Sequence, residues 1–277
     1  MKFKKEYSVD MLKIRRRVYK DDVKSFMEQY SYEGDVKYYK NVNGLGKCRH
    51  NWSIEIDKDK SYWIGFNLIT AKGDNNTKKA YLYIEYNPNK IPMEGKIKEI
   101  FYRFFRGRDF EIVSTDIAVD LYNIDINSDV FIDKGAYGYF TEKQYSKNNR
   151  TYYIGKNKVK VYDKALEQGI DDKDITRYEI RIKPNITIDE LRNYSYEGSV
   201  PGIYIINNFE LDDKLTDTDY YILKALVNNI GGVHELSRGK RKKIKSALEK
   251  QTKFKADSCK LSETLEKYIF DDLLLNV

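Results

Sequence analysis

Apolar and polar residues alternate with a period of two through most of the chain up to about residue 210, and with a helical period beyond it. The alternation predicts strands at Ser8–Ile14, Trp52–Asp57, Trp63–Thr70, Lys79–Tyr86, Glu111–Tyr122, Tyr152–Ile154, Val159–Asp163 and Thr176–Ile182. Helical stripes predict Asp21–Tyr30, through Val23, Phe26, Met27 and Tyr30, and Met93–Arg106, through Ile97, Ile100, Phe101 and Phe104, with Gly107 as its stop. Thr187 and Glu190 form a capping box that starts a short helix. A stripe of Ile222, Leu223, Leu226, Val227 and Ile230 ends at Gly231-Gly232, and helices near Arg238–Lys250 and Leu261–Leu275 follow. Gly44–Gly46 reads as a loop, Ala165–Asp174 as a connector, and Ile124–Asn149, with Gly135 and Gly138, as irregular. The fold class is therefore α+β: a largely antiparallel sheet with helices on one face and the active site on the other, plus a C-terminal helical appendage. The domains fall at 1–210, a catalytic domain, and 211–277, a basic helical DNA-recognition region.

The strands share one habit, an apolar face opposed by a face bearing ionisable groups. On Val159–Asp163, Lys160 and Tyr162 point away from Val159 and Val161, with Lys158 just before them on the polar side. Elsewhere the polar face carries Glu85, then Asp116 and Asp120, then Arg177, Glu179 and Arg181. A tyrosine hydroxyl beside lysines meets the requirement for attack on a phosphodiester, because the cations hold the anion near the nucleophile. Carboxylates drawn together need a cation among them, and an all-oxygen set of Glu85, Asp116, Asp120 and Glu179 suits Mg2+ or Mn2+. The same pattern also describes an ordinary sheet with one face in water.

Composition narrows the classes. A chain of 277 residues that is 34% charged and 14% aromatic, with mean hydropathy −0.71, belongs to a folded soluble protein rather than a disordered one. No apolar run reaches membrane-spanning length, and the basic start lacks the apolar core of a signal peptide, so a cytoplasmic location is expected. Cys48 and Cys259 stand far apart, which argues against structural zinc and a disulfide. His50 and His234 are the only histidines, and neither belongs to a histidine-hydrophobic-histidine metal motif. No phosphate-binding glycine loop is present. Net charge is +7, yet nine Lys/Arg against the single acid Glu249 crowd into 237–256, leaving the rest almost neutral. Such an excess, with Arg238, Lys240, Arg241, Lys242, Lys243 and Lys245 at its centre, points to a polyanionic partner or to a solvated lysine-rich helix. The run Arg15–Arg17 faces either phosphate or water.

Four blocks, IEYNPNK (84–90), TDIAVD (115–120), YYIG (152–155) with VKVYDK (159–164), and TRYEIRIK (176–183), occur in the order and approximate spacing found in the Rep_trans family. The chain thus resembles the rolling-circle replication initiators of plasmids, well over residues 80–185 and more weakly elsewhere. The resemblance implies that Tyr162 is the nucleophile, with Glu179, Arg177 and Lys164 completing the catalytic group. It implies metal or proton-handling roles for Glu85, Asp116, Asp120 and Glu179, with Lys158 and Lys160 among the DNA contacts. Members nick one strand at an origin, form a 5′-phosphotyrosine link and leave a 3′-hydroxyl primer. They act as dimers on origin DNA, presented as a hairpin or single-stranded nick site, with a host helicase as a further partner and no membrane. Two departures stand out: Ser114 replaces the arginine usual two residues before Asp116, and the turn before VKVYDK is shorter. A conjugative relaxase, a phage initiator of the same chemistry and a non-catalytic DNA-binding regulator are the alternatives.

Overall fold

The computed structural model describes residues 3–30, 36–40, 48, 50–57, 60–68, 79–105, 109–133, 139–145, 150–155, 158–170, 173–206, 215–227 and 231–276. In chain order the first half holds β1 (Lys5–Tyr19), α1 (Lys20–Tyr30), β2 (Val36–Lys40), β3 (His50–Asp57), β4 (Lys60–Leu68), β5 (Lys79–Tyr86), α2 (Gly95–Phe105) and β6 (Glu111–Tyr122). Then come β7 (Val130–Phe131), β8 (Phe140–Gln144), β9 (Arg150–Ile154), β10 (Val159–Asp163), α3 (Lys164–Gln168), β11 (Ile175–Ile182), β12 (Ile186–Thr187) and α4 (Ile188–Leu191). The remainder holds β13 (Ile203–Ile205), α5 (Asp217–Val227), α6 (Arg238–Glu249), β14 (Thr252–Phe254) and α7 (Ser258–Lys267), followed by a π-helical segment, Tyr268–Leu273. The class is mixed α+β with a large antiparallel sheet, as the alternation implied. Among the described residues no helix is long and apolar enough to cross a membrane.

The chain packs as two compact units. The N-terminal unit comprises Ser8–Ile117, Ile182–Tyr196 and Ser262–Val277; the central unit comprises Met1–Tyr7, Ala118–Arg181 and Glu197–Leu261. In the N-terminal unit the strands run in the order β2-β3-β4-β5-β1 and then the first part of β6. Leu12, Ile14, Trp52, Ile54, Ile64, Phe66, Leu82 and Ile84 are buried on one face. The helices cover that face: Phe26 of α1 lies 5.2 Å from both Trp52 and Phe66, and 5.9 Å from Phe104 of α2 (ring centroids). Each such aromatic contact adds to area burial because edge and tilted packings satisfy the ring quadrupoles.

In the central unit the strands run from the end of β6 through β11, β10, β9 and β8. Here Val159, Val161, Tyr178, Ile180, Tyr152 and Ile154 form the buried face. A second sheet, β14-β13-β7, supplies Phe254, whose ring stands edge-on to Tyr178 at 5.3 Å. On that sheet α5 and α6 bury Leu223, Leu226, Ile244, Ala247 and Leu248 with Phe131 and Ile206.

Several sequence expectations need correcting. β1 extends to Tyr19, so Arg15–Arg17 lie within the strand and alternate between its faces. The stretch 124–149, expected to be irregular, carries β7 and β8, both short, and β8 is a polar edge strand whose residues need no apolar partner on the open side. The connector after Asp163 begins with α3: the Asp163 carboxylate accepts from the Leu166 amide, and Gly169, at φ 63°, closes it in the left-handed region. Thr187 and Glu190 do form a reciprocal capping box. The Gly44–Gly46 loop, Gly107, Gly135, Gly138, Ile230 and the middle of the hairpin turn before β10 lie outside the described residues.

Candidate active site and nucleic-acid interface

Register builds the site in the central unit. β10 pairs antiparallel with β11 so that Lys160 lies opposite Glu179 and Tyr162 opposite Arg177. On its other side β10 pairs with β9, setting Tyr153 opposite Lys160 and Thr151 opposite Tyr162. Directly opposed residues share a face, so these six side chains occupy one patch. The Tyr162 hydroxyl donates to Glu179 Oε2 at 3.3 Å, and the Lys160 ammonium donates to the same oxygen at 3.0 Å. Lys160 Nζ also stands 4.5 Å from the centroid of the Tyr162 ring. Tyr162 is 6% exposed and Glu179 7%, while Lys160 is half-buried, so the phenol and the acid are shielded and the ammonium reaches solvent.

This arrangement has clear chemical capacity. Glu179 is placed to take the phenolic proton, and free-state contacts of this kind shorten once substrate is bound. Lys160 offers a positive charge to the phenolate that results, at a distance where a shielded site screens it little. Tyr153 shares the patch. Burial, a hydrogen bond with Tyr145 and the nearby Glu179 charge push its pKa up to about 12, so it stays a phenol at neutral pH. Sequence reasoning missed Tyr153, although period two in YYIG already put it on the polar side.

Arg177 is engaged elsewhere. Its Nε and Nη2 donate to the two oxygens of Asp120 at 2.6 and 2.7 Å, a fork-on-carboxylate pair between largely buried groups. Lys164, named as catalytic from the sequence, is buried at the start of α3, and its ammonium pairs with Glu167 one turn on. Lys158 donates to the Ser199 carbonyl at 2.8 Å.

The acids expected to hold Mg2+ or Mn2+ fall in both units. Glu85 and Asp116 belong to the N-terminal unit, where Glu85 pairs with Lys13 at 2.8 Å and Asp116 is buried on β6. Among the described residues no three His, Cys, Asp or Glu side chains gather to hold a metal ion. The physical reason is that Glu85, Asp120 and Glu179 each already has a protein cation, Lys13, Arg177 and Lys160 respectively. An ion binding at Asp120 or Glu179 has to displace one of these, so the residues as arranged do not fit a resident divalent metal.

The basic cluster lies on α6, whose apolar side, Ile244, Ala247 and Leu248, is buried. Two of its cations serve the fold. Arg241 Nη2 donates to the carbonyls of His234 and Leu236 at 2.7 and 3.0 Å, and Lys243 stands 3.5 Å from the buried Asp219 carboxylate. Arg238, Lys240, Lys242 and Lys245 are exposed. The helix therefore presents four cations outward from a short basic stretch, a geometry that suits a phosphate backbone.

No family model matches the chain, and neither does any curated protein. Among solved structures it is similar to a rolling circle replication initiator protein from Geobacillus stearothermophilus, at 15% identity and a TM-score of 0.38, covering 89% of this chain and 97% of that one. A likeness of that degree says nothing about this chain's activity.

Proposed function

We propose that the protein is a replication initiator that nicks one strand of DNA with Tyr162 and primes rolling-circle synthesis. In the step envisaged, the Tyr162 oxygen attacks the scissile phosphorus while its proton passes to Glu179 Oε2. The new bond is tyrosine oxygen to phosphorus, and the bond broken is phosphorus to the 3′ oxygen. That oxygen leaves with the bonding pair and takes up a proton from water, and Glu179 returns its proton to water, so the proton count balances. The products are a 5′-phosphotyrosine and a free 3′-hydroxyl, and reversal of the step religates the strand. Lys160 steadies the phenolate before attack, and Arg177, locked by Asp120, fixes the strand opposite Tyr162.

The observation that carries the reading is the single carboxylate oxygen shared by the Tyr162 hydroxyl and the Lys160 ammonium. An inert water-facing strand has no need of a buried phenol and acid in contact with a shared amine. The four ordered sequence blocks and the outward cations of α6 support the same conclusion. The test is relaxation of a supercoiled plasmid carrying the DNA that flanks the gene. Wild type converts it to the nicked form, and Tyr162→Phe binds it but does not cut. Binding by wild type without any cutting would instead identify a DNA-binding regulator.

A further inference from the structure

We propose a second DNA-contacting surface, in the N-terminal unit: a stacking platform for single-stranded DNA made by Tyr81 and Tyr83 with Arg15 and Arg17. It rests on the reading of the protein as a DNA-processing enzyme but uses none of the residues around Tyr162. The register of β1 with β5 sets Arg15 opposite Tyr83 and Arg17 opposite Tyr81. All four therefore stand on the face opposite the one that α1 and α2 cover. The two rings follow one another at 6.2 Å between centroids, and both are partly exposed. The Arg15 and Arg17 guanidinium carbons lie 5.1 and 5.8 Å from the centre of the Tyr81 ring. Arg17 Nε also donates to the Tyr81 hydroxyl at 3.2 Å. On the same face, the buried Trp63 ring stands 6.5 Å from Tyr83.

Charge identifies the occupant. Lys13 and Arg15 are answered by Glu85 and Glu111, and Arg16, on the other face, by the Phe104 carbonyl and Asp109. The three arginines edge a cavity of about 530 Å3 that Asp109 and Glu111 also line. Arg17 alone of that run is exposed and has no carboxylate partner among the described residues. Partly exposed rings flanked by guanidinium groups, one of them without an ion pair to a carboxylate among the described residues, fit a ligand with flat faces and a phosphate backbone. Bases in a duplex already stack on each other, so the flat faces are open only in a single strand.

Binding of a fluorescein-labelled oligothymidylate to the full chain, followed by anisotropy, tests this. Stacking on aromatic side chains predicts that Tyr81→Ala and Tyr83→Ala each weaken binding by about 5- to 150-fold. Tyr81→Phe and Tyr83→Phe keep the ring and stay within about threefold of wild type, which separates stacking from a folding defect. Arg17→Gln reduces the salt slope by about 0.7, the value for one phosphate contact with a single strand. Single-strand binding that survives the double alanine variant overturns the proposal, as does an equal loss of duplex binding or a loss in the phenylalanine variants as large as in the alanine ones. Plasmid nicking assayed in parallel keeps the two readings apart: nicking by wild type with unaffected oligothymidylate binding in the alanine variants sinks the platform alone. Absence of nicking in wild type sinks the enzyme reading.

Discussion

Cutting the Asp120–Arg177 pair is the most informative perturbation of the site's scaffold. The two bonds measure 2.6 and 2.7 Å, and the Arg177 and Asp120 side chains are 6% and 16% exposed. In Asp120→Ala the guanidinium remains in place, shut away from water and without its counter-charge. Removing one member of a buried, hydrogen-bonded pair costs about 3–5 kcal/mol, because the partner's desolvation is no longer offset. At about 2–4 °C per kcal/mol, typical of domains of 150–250 residues, the melting transition drops by about 6–20 °C. Asp120→Ala/Arg177→Ala costs clearly less than the sum of the single changes, since the second truncation removes the stranded charge. The comparator is Glu55→Ala, which breaks Lys37–Glu55, a pair of similar length at 2.8 Å whose side chains are 62% and 47% exposed. Pairs in that setting add little, because water screens them and two mobile side chains must be held. Circular dichroism melts of the four variants decide the point. An Asp120→Ala transition no lower than that of Glu55→Ala would refute the argument that Arg177 is held by a buried fork.

Other outcomes follow from the same structure. Tyr153→Phe retains nicking within about twofold, measured on supercoiled DNA, since a pKa pushed up to about 12 makes this phenol harder to ionise; loss of nicking would contradict that reading. Tyr86 and Tyr268 share a 2.6 Å hydrogen bond, and burial raises both, Tyr268 to about 12 and Tyr86 well above the ordinary value. A raised native pKa means the folded state holds its proton more tightly, so this stability is complete below about pH 10 and is lost as pH rises toward 12. Chemical denaturation across that window shows the decline, and Tyr86→Phe/Tyr268→Phe flattens it; an unchanged profile in the double variant contradicts the assignment. Replacing Lys240, Lys242 and Lys245 by Gln lowers the salt slope of duplex binding by up to about 2.7, one phosphate contact each. Lys243→Gln leaves the slope unchanged and lowers the melting temperature instead, because Lys243 answers Asp219.

Much of the fold was legible because period two and helical period are local signals. β6 and β10 were read with their observed ends, and Lys160 and Tyr162 were placed on the polar face from alternation alone. What alternation cannot supply is the neighbour across the sheet. That Lys160 meets Glu179, and Asp120 meets Arg177, depends on strand order and register, which are set by long-range packing. The acids were visible in sequence, while the cations that pair with Glu85, Asp120 and Glu179 were not. Arg241 and Lys243 illustrate the same limit on α6, where a run of like charges hides which members hold the fold. β13 and β14, three residues each, are too short to carry a period at all.

The most direct measurement is peptide mapping of the protein after reaction with a 3′-labelled suicide oligonucleotide containing the nick site. A nucleotide attached through its 5′ phosphate to Tyr162, absent in Glu179→Gln at neutral pH, is the result predicted. Attachment to any other side chain, or an undiminished adduct in Glu179→Gln, would contradict it.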